Sequence, residues 1–149
     1  MINDPLCNQE ALMTFNRQAK FILVFSNLKH ISSYTHQTRA YLTGRWMDAL
    51  ACGAIVAGIV PSEPSIARLF WDGATLDLES TEIEKGLGVN EKELSNWTAE
   101  KATYNYKQSL ECLYWRWRFI EIAKVFQITP KNLLNEIYLV EHKLNELKF

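Results

Sequence analysis

The run Ala54–Val60 (AIVAGIV) limits what this chain can fold into more than any other stretch. A strand with one solvated face alternates apolar and polar residues. An unbroken run of small and β-branched residues instead fits a strand buried on both faces, as in a parallel sheet. Parallel strands need long crossovers, usually helical, so helices are expected on either side. The flanks agree. Thr43 or Gly44 can open a helix, Arg45–Cys52 can form it, and Gly53 stands where a left-handed C-cap is wanted.

Two further stretches read as strands. Lys20–Ser26 (KFILVFS) is short and apolar, and Ala74–Leu78 (ATLDL) alternates weakly, as an edge strand does. Before the first of them, Pro5–Gln18 begins irregularly and becomes a helix, with Asn8 able to cap it and Ala11, Leu12 and Phe15 as its apolar stripe. Asn27–Leu42 is a long polar connection, and connections of that length in a compact domain are more often functional or disordered. After Pro61 a helical patch is expected at Ile66–Phe70 and a turn at Asp72-Gly73. Glu79–Val89, acidic and glycine-containing, reads as a loop, and Asn90 as the cap of a helix through Trp97. Thr98 restarts helix, and Ala99–Val125 reads as mostly helical. Thr129-Pro130 opens the last helix with proline at its first position. That helix reaches about Leu147 and carries Leu133, Leu134, Ile137, Tyr138, Leu144 and Leu147 on one face. The order implies an α/β fold with about three parallel strands flanked by helices, right-handed crossovers and a helical C-terminal third.

Composition narrows the function classes. The 149 residues are 48% hydrophobic and 22% charged, as expected of a globular domain rather than a disordered chain. A net charge of -1 offers no electrostatic case for nucleic acid or an anionic membrane surface. No apolar run approaches the ~20 residues of a membrane span. The start, MINDPLCNQEALM, lacks the basic and apolar regions of a secretory signal, so a cytoplasmic setting is expected. Cys7, Cys52 and Cys112 are far apart, with neither zinc nor CxxC spacing, so reduced thiols and no metal are expected. Trp115-Arg116-Trp117-Arg118 could suggest base stacking plus charge. At helical spacing Trp115 and Phe119 share a face, and packing of that helix onto the sheet is the simpler account.

The candidate site is the polar end of the central unit: Thr43, Gly44, Arg45 and Asp48. A helix N-terminus exposes unpaired N–H groups at the positive end of the dipole, which suits phosphate. Gly44 allows close backbone approach, Arg45 supplies charge, and Asp48, about one turn on, can accept bonds from sugar hydroxyls. Arg39 and His36, in the preceding loop, are weaker candidates for the same ligand. The competing reading is structural: Thr43 as a plain N-cap, Arg45 as a solvated cation and Asp48 as a surface carboxylate.

The segment GRWMDALACGAIVAGIVP resembles the signature of GT-B glycosyltransferases of the group-1, family-4-like set, in which a helix with an acidic residue and an Ala-Leu-Ala-x-Gly end precedes an apolar strand. The resemblance covers roughly Lys20 to Thr81 in element order, with Trp71-Asp72-Gly73 similar to the family's next turn and YNYKQSLECLYWRWRF more loosely to its late helix. It implies that residues 1–128 form a partial Rossmann-like C-terminal domain of that fold, with 129–149 a helix packing on it or extending from it. It also implies a nucleotide-diphosphate sugar as donor, no permanently bound cofactor and no metal. Asp48 stands where the family's second acidic residue holds the ribose, with aspartate for the usual glutamate, and Leu42–Arg45 stand where a loop holds the diphosphate and donor sugar. The first acidic residue, eight positions earlier, falls on Ala40, beside Arg39 as a substitute. Such an enzyme reacts in a cleft between two Rossmann-like domains, so this chain is expected to be a glycosyltransferase fragment or subunit, inactive alone, that meets a separate acceptor-binding domain or chain. The catalytic base is then not assignable within it. The alternative is a non-catalytic module of the same fold, used for self-association or for docking a partner chain.

Overall fold

A computed structural model describes residues 4–25, 41–61 and 64–147, with the side chain of Ser65 excepted. The parallel sheet expected from the sequence is present. Strands β1 (Phe21–Val24), β2 (Ile55–Gly58) and β3 (Thr75–Asp77) lie in the order β1-β2-β3, all parallel. Every residue of β2 is buried, as its unbroken apolar run requires for the central strand. Gly58 allows the close approach of β1: a Cβ there would sit 1.8 Å from the Val24 carbonyl oxygen.

Helix α1 spans Pro5–Gln18 and α2 spans Gly44–Ala51. α2 buries Trp46, Ala49 and Leu50 against Val24 and Val56 of the sheet and against Ala74. The Trp46 ring stacks on Phe70, with centroids 6.0 Å apart. Gly53 ends the unit at φ +84°, where the helix that carries Ala102 also passes so closely that a Cβ would lie 2.7 Å from the Ala102 carbonyl oxygen. A single turn of helix, α3 (Pro64–Ala67), stands slightly before the expected Ile66–Phe70 patch.

Several local expectations are corrected. The cap of α1 is Asp4, not Asn8: its Oδ1 accepts from the amides of Leu6 (2.9 Å) and Cys7 (3.4 Å), and Pro5 needs no partner at the first helical position. The stripe of α1 is not buried, with Leu12 and Phe15 43% and 70% exposed. The segment read as a loop is helix α4 (Ile83–Leu94), and Asn90 lies inside it rather than capping it. Ser80 supports its start by accepting from the Glu82 amide at 3.1 Å. Gly86 is buried against Leu78, whose Cδ1 lies 3.7 Å from where a Cβ would stand, an ordinary van der Waals distance. Tertiary packing thus overrides the low propensity of two glycines.

The expected long helix is two, α5 (Ala99–Cys112) and α6 (Trp115–Val125), with Tyr114 extended at φ -66°, ψ 119°. The break is held by side chains that reach back to the end of α5. The Trp117 indole N–H donates to the Leu110 carbonyl at 2.7 Å, and Arg118 donates to that of Cys112 at 3.0 Å. α6 packs chiefly against α7 (Lys131–Glu146) rather than onto the sheet, and Trp115 stays 70% exposed. Pro130 is the N-cap of α7, one residue before the expected position. The buried residues of α7 are Ile137 and Val140, while Leu134 and Tyr138 face outward.

Candidate functional site

The β1–α2–β2 order fixes where the site falls. α2 returns antiparallel to the strands, so its first turn lies at their carboxyl end, where ligands bind in open α/β sheets. Thr43 is the N-cap, extended at φ -95°, ψ 164°, and its side chain makes no cap bond. Its carbonyl takes the Trp46 amide at 3.1 Å. The amides of Gly44 and Arg45 have no partner among the described residues. Gly44 is exposed, and a Cβ there would touch nothing within 4 Å, so neither packing nor backbone conformation requires glycine at this position. The Arg45 guanidinium is exposed and has no ion pair among the described residues.

Asp48 is half-buried, on the flank of α2 that turns away from the Trp46–Leu50 core face. Four residues after Gly44, it lies about 6 Å further along the helix axis. It lines a cleft of about 290 Å³ between α2 and the α5–α6 break, faced by Tyr106, Tyr114, Trp115 and Arg116. Most of the walls are apolar or aromatic, Asp48 is the carboxylate on them, and Arg116 is the cation. Arg116 is already engaged, ion-paired with Glu136 and 4.7 Å over the Tyr114 ring. The Asp48 charge therefore faces an aromatic wall rather than a free cation. It acts on its own helix too: burial pushes the Cys52 thiol up, nearby Arg17 opposes this, and Asp48 adds to it.

The structure thus joins Gly44, Arg45 and Asp48 on one short helix but sets them differently. The first two are open at the helix start, and Asp48 sits at the edge of the cleft. His36, Arg39 and Ala40 lie outside the described residues. The residues facing Asp48 across the cleft escaped the sequence reading, which treated Tyr114–Arg116 as the middle of a helix packed on the sheet. The only sequence signal for the break is the density of aromatic and arginine side chains after Cys112. Among the described residues no group of three His, Cys, Asp or Glu side chains could hold a metal ion, and no helix is long and apolar enough to cross a membrane. Comparison of the chain with protein-family models, with curated proteins and with solved structures finds no match.

Proposed function

We propose that this chain binds a nucleotide-diphosphate sugar at the start of α2, as the donor-binding part of a GT-B-like glycosyltransferase. The observation that carries the reading is the open first turn of α2 at the carboxyl end of a parallel sheet, where the Gly44 and Arg45 amides and the Arg45 side chain have no partner among the described residues and Asp48 stands one turn on. The diphosphate lies on the Gly44 and Arg45 amides, where the helix dipole favours negative charge. The Arg45 guanidinium adds charge-assisted bonds to the same oxygens. Asp48 accepts from the ribose hydroxyls at the mouth of the cleft, close enough for one ligand to meet both ends. Charge that develops on the departing diphosphate during sugar transfer is stabilised by the same amides and guanidinium, already oriented before the reaction. The acceptor and the general base belong to another domain or chain.

Calorimetric titration of UDP, GDP and their sugars tests this. Binding of at least one of them is expected, lost in Arg45→Ala and weakened at least tenfold in Asp48→Ala. No heat at millimolar ligand, or binding that both variants retain, refutes it.

A further inference from the structure

α6 turns an apolar face outward along its length. Trp115, Phe119, Ile122 and Phe126 follow at steps of four, three and four residues, which sets them on one side of the helix. All four are 50–70% exposed, and Val125 beside them is 78% exposed. The Trp115 and Phe119 rings pack against each other with centroids 6.5 Å apart, so the stripe is continuous at its start. One flank of α6 is already used: α7 packs there, with Ala123 buried and Arg116 ion-paired with Glu136. Exposed Arg118 and Val125 lie on the open flank.

Alternating steps of three and four are the spacing of a helix–helix seam, in which side chains of one helix enter holes between those of another. The four stripe residues expose on the order of 500 Å² per copy, scaled from the roughly 150–250 Å² of an aromatic side chain. Monomers rarely leave so large a contiguous apolar patch in water. A standard interface takes about 800 Å² per partner, and Val125 supplies part of the difference. A lipid surface would favour free lysine and arginine beside such a face. Here Lys124 is paired with Glu121, Arg116 with Glu136, and Arg118 donates to the Cys112 carbonyl.

We propose that this face docks α6 of a second copy of this chain, packed antiparallel about a two-fold axis that passes between Phe119 and Ile122. The contact is isologous, one stripe meeting itself. Phe119 of each copy lies against Ile122 of the other, and Trp115 of each against Phe126 of the other. The orientation follows from α7. A parallel pair would set the open flank of one copy against the flank that α7 covers in the other. An antiparallel pair brings the two open flanks together and leaves each α7 in place. Buried aromatic side chains at the centre and ends of the seam carry most of the affinity. With less than the standard area covered, a reversible dimer of micromolar affinity is expected rather than an obligate one.

Sedimentation velocity from about 1 to about 200 μM tests this, a range that brackets micromolar affinity. The wild-type chain should pass from monomer to dimer across it. Phe119→Lys and Ile122→Glu should each remain monomeric throughout, because each buries an unpaired charge at the axis. Mixed in equal amounts, the two variants should dimerise again, since antiparallel packing brings the opposite charges together. Ile83→Lys, on an exposed position of α4, should leave the wild-type behaviour unchanged. Circular dichroism checks that each variant keeps its helix content. A monomeric wild type at every concentration, a Phe119→Lys protein that dimerises alone, or a mixture that stays monomeric overturns the proposal. So does a wild-type monomer that floats with vesicles of phosphatidylcholine and phosphatidylserine, which would assign the face to a lipid surface.

Discussion

Asn105 is a buried polar residue of α5, the helix that supplies Tyr106 to the cleft. It is 2% exposed in the middle of α5. Its Oδ1 accepts from the Trp71 indole N–H at 2.8 Å, and its amide donates to the Ala54 carbonyl at 3.4 Å, just before β2. One side chain therefore ties α5 to the central strand and to the turn that leads into β3. Asn105→Leu keeps the approximate volume and strips both bonds. The Ala54 carbonyl is buried and loses a long, weak bond, while the half-buried Trp71 indole loses a short one and regains part of it from water. Two unpaired groups at about 1–3 kcal/mol each, discounted for these reasons, give about 2–3 kcal/mol of destabilisation. For a chain of this length that is a fall in Tm of about 4–12 °C. Trp71→Phe removes the donor alone, and in the double variant no indole is left without a partner. The two costs should therefore fall short of additivity by about 1 kcal/mol or more. Urea and thermal unfolding followed by circular dichroism measure all four proteins. An Asn105→Leu cost below about 0.5 kcal/mol, the level of an ordinary surface change, would refute the reasoning, as would strict additivity.

Two glycines give opposite expectations under the same substitution. Gly58→Ala drives a methyl into the Val24 carbonyl and should cost about 3 kcal/mol or more, seen as loss of cooperative unfolding or of soluble protein. Gly44→Ala meets open space and should leave the fold unchanged or raise its stability by up to about 1 kcal/mol, while weakening nucleotide binding in the titration above. The thiols predict a pH dependence. Burial pushes Cys52 and Cys112 up, so the folded state favours the neutral thiol. Their contribution to stability is full below the unfolded thiol pKa of about 8.5 and is lost as pH rises through the folded value. Alkylation at pH 8 followed by mass spectrometry should label exposed Cys7 first, and unfolding midpoints should fall above that pH. Equal labelling rates at the three sites would contradict it.

The central unit was legible because its determinants are local. The positive φ of Gly53, the apolar run of β2 and the capping Thr98, whose hydroxyl accepts from the Lys101 amide at 3.3 Å, are each decided within a few residues. α4 was not legible, because its acidic, glycine-bearing sequence has low local helix propensity. The α5–α6 break was hidden because it rests on Trp117 and Arg118 turning back to carbonyls that a continuous helix would have satisfied. The candidate site divides in the same way. The first turn of α2 can be read from Thr43-Gly44-Arg45, but the aromatic wall opposite Asp48 exists only because Tyr114 leaves the helix. The apolar stripe of α1 was legible, but periodicity identifies a stripe and not what covers it, and Leu12 and Phe15 stand exposed.

The proposed donor site seats a diphosphate at the first turn of α2. Amide chemical-shift mapping of the ¹⁵N-labelled protein during titration with UDP or GDP reads that position directly. The largest shifts are expected at the Gly44 and Arg45 amides, with a second group at Asp48 and Trp115, and the first group should vanish in Arg45→Ala. Shifts centred elsewhere in the sheet or helices, or none at millimolar nucleotide, would contradict it.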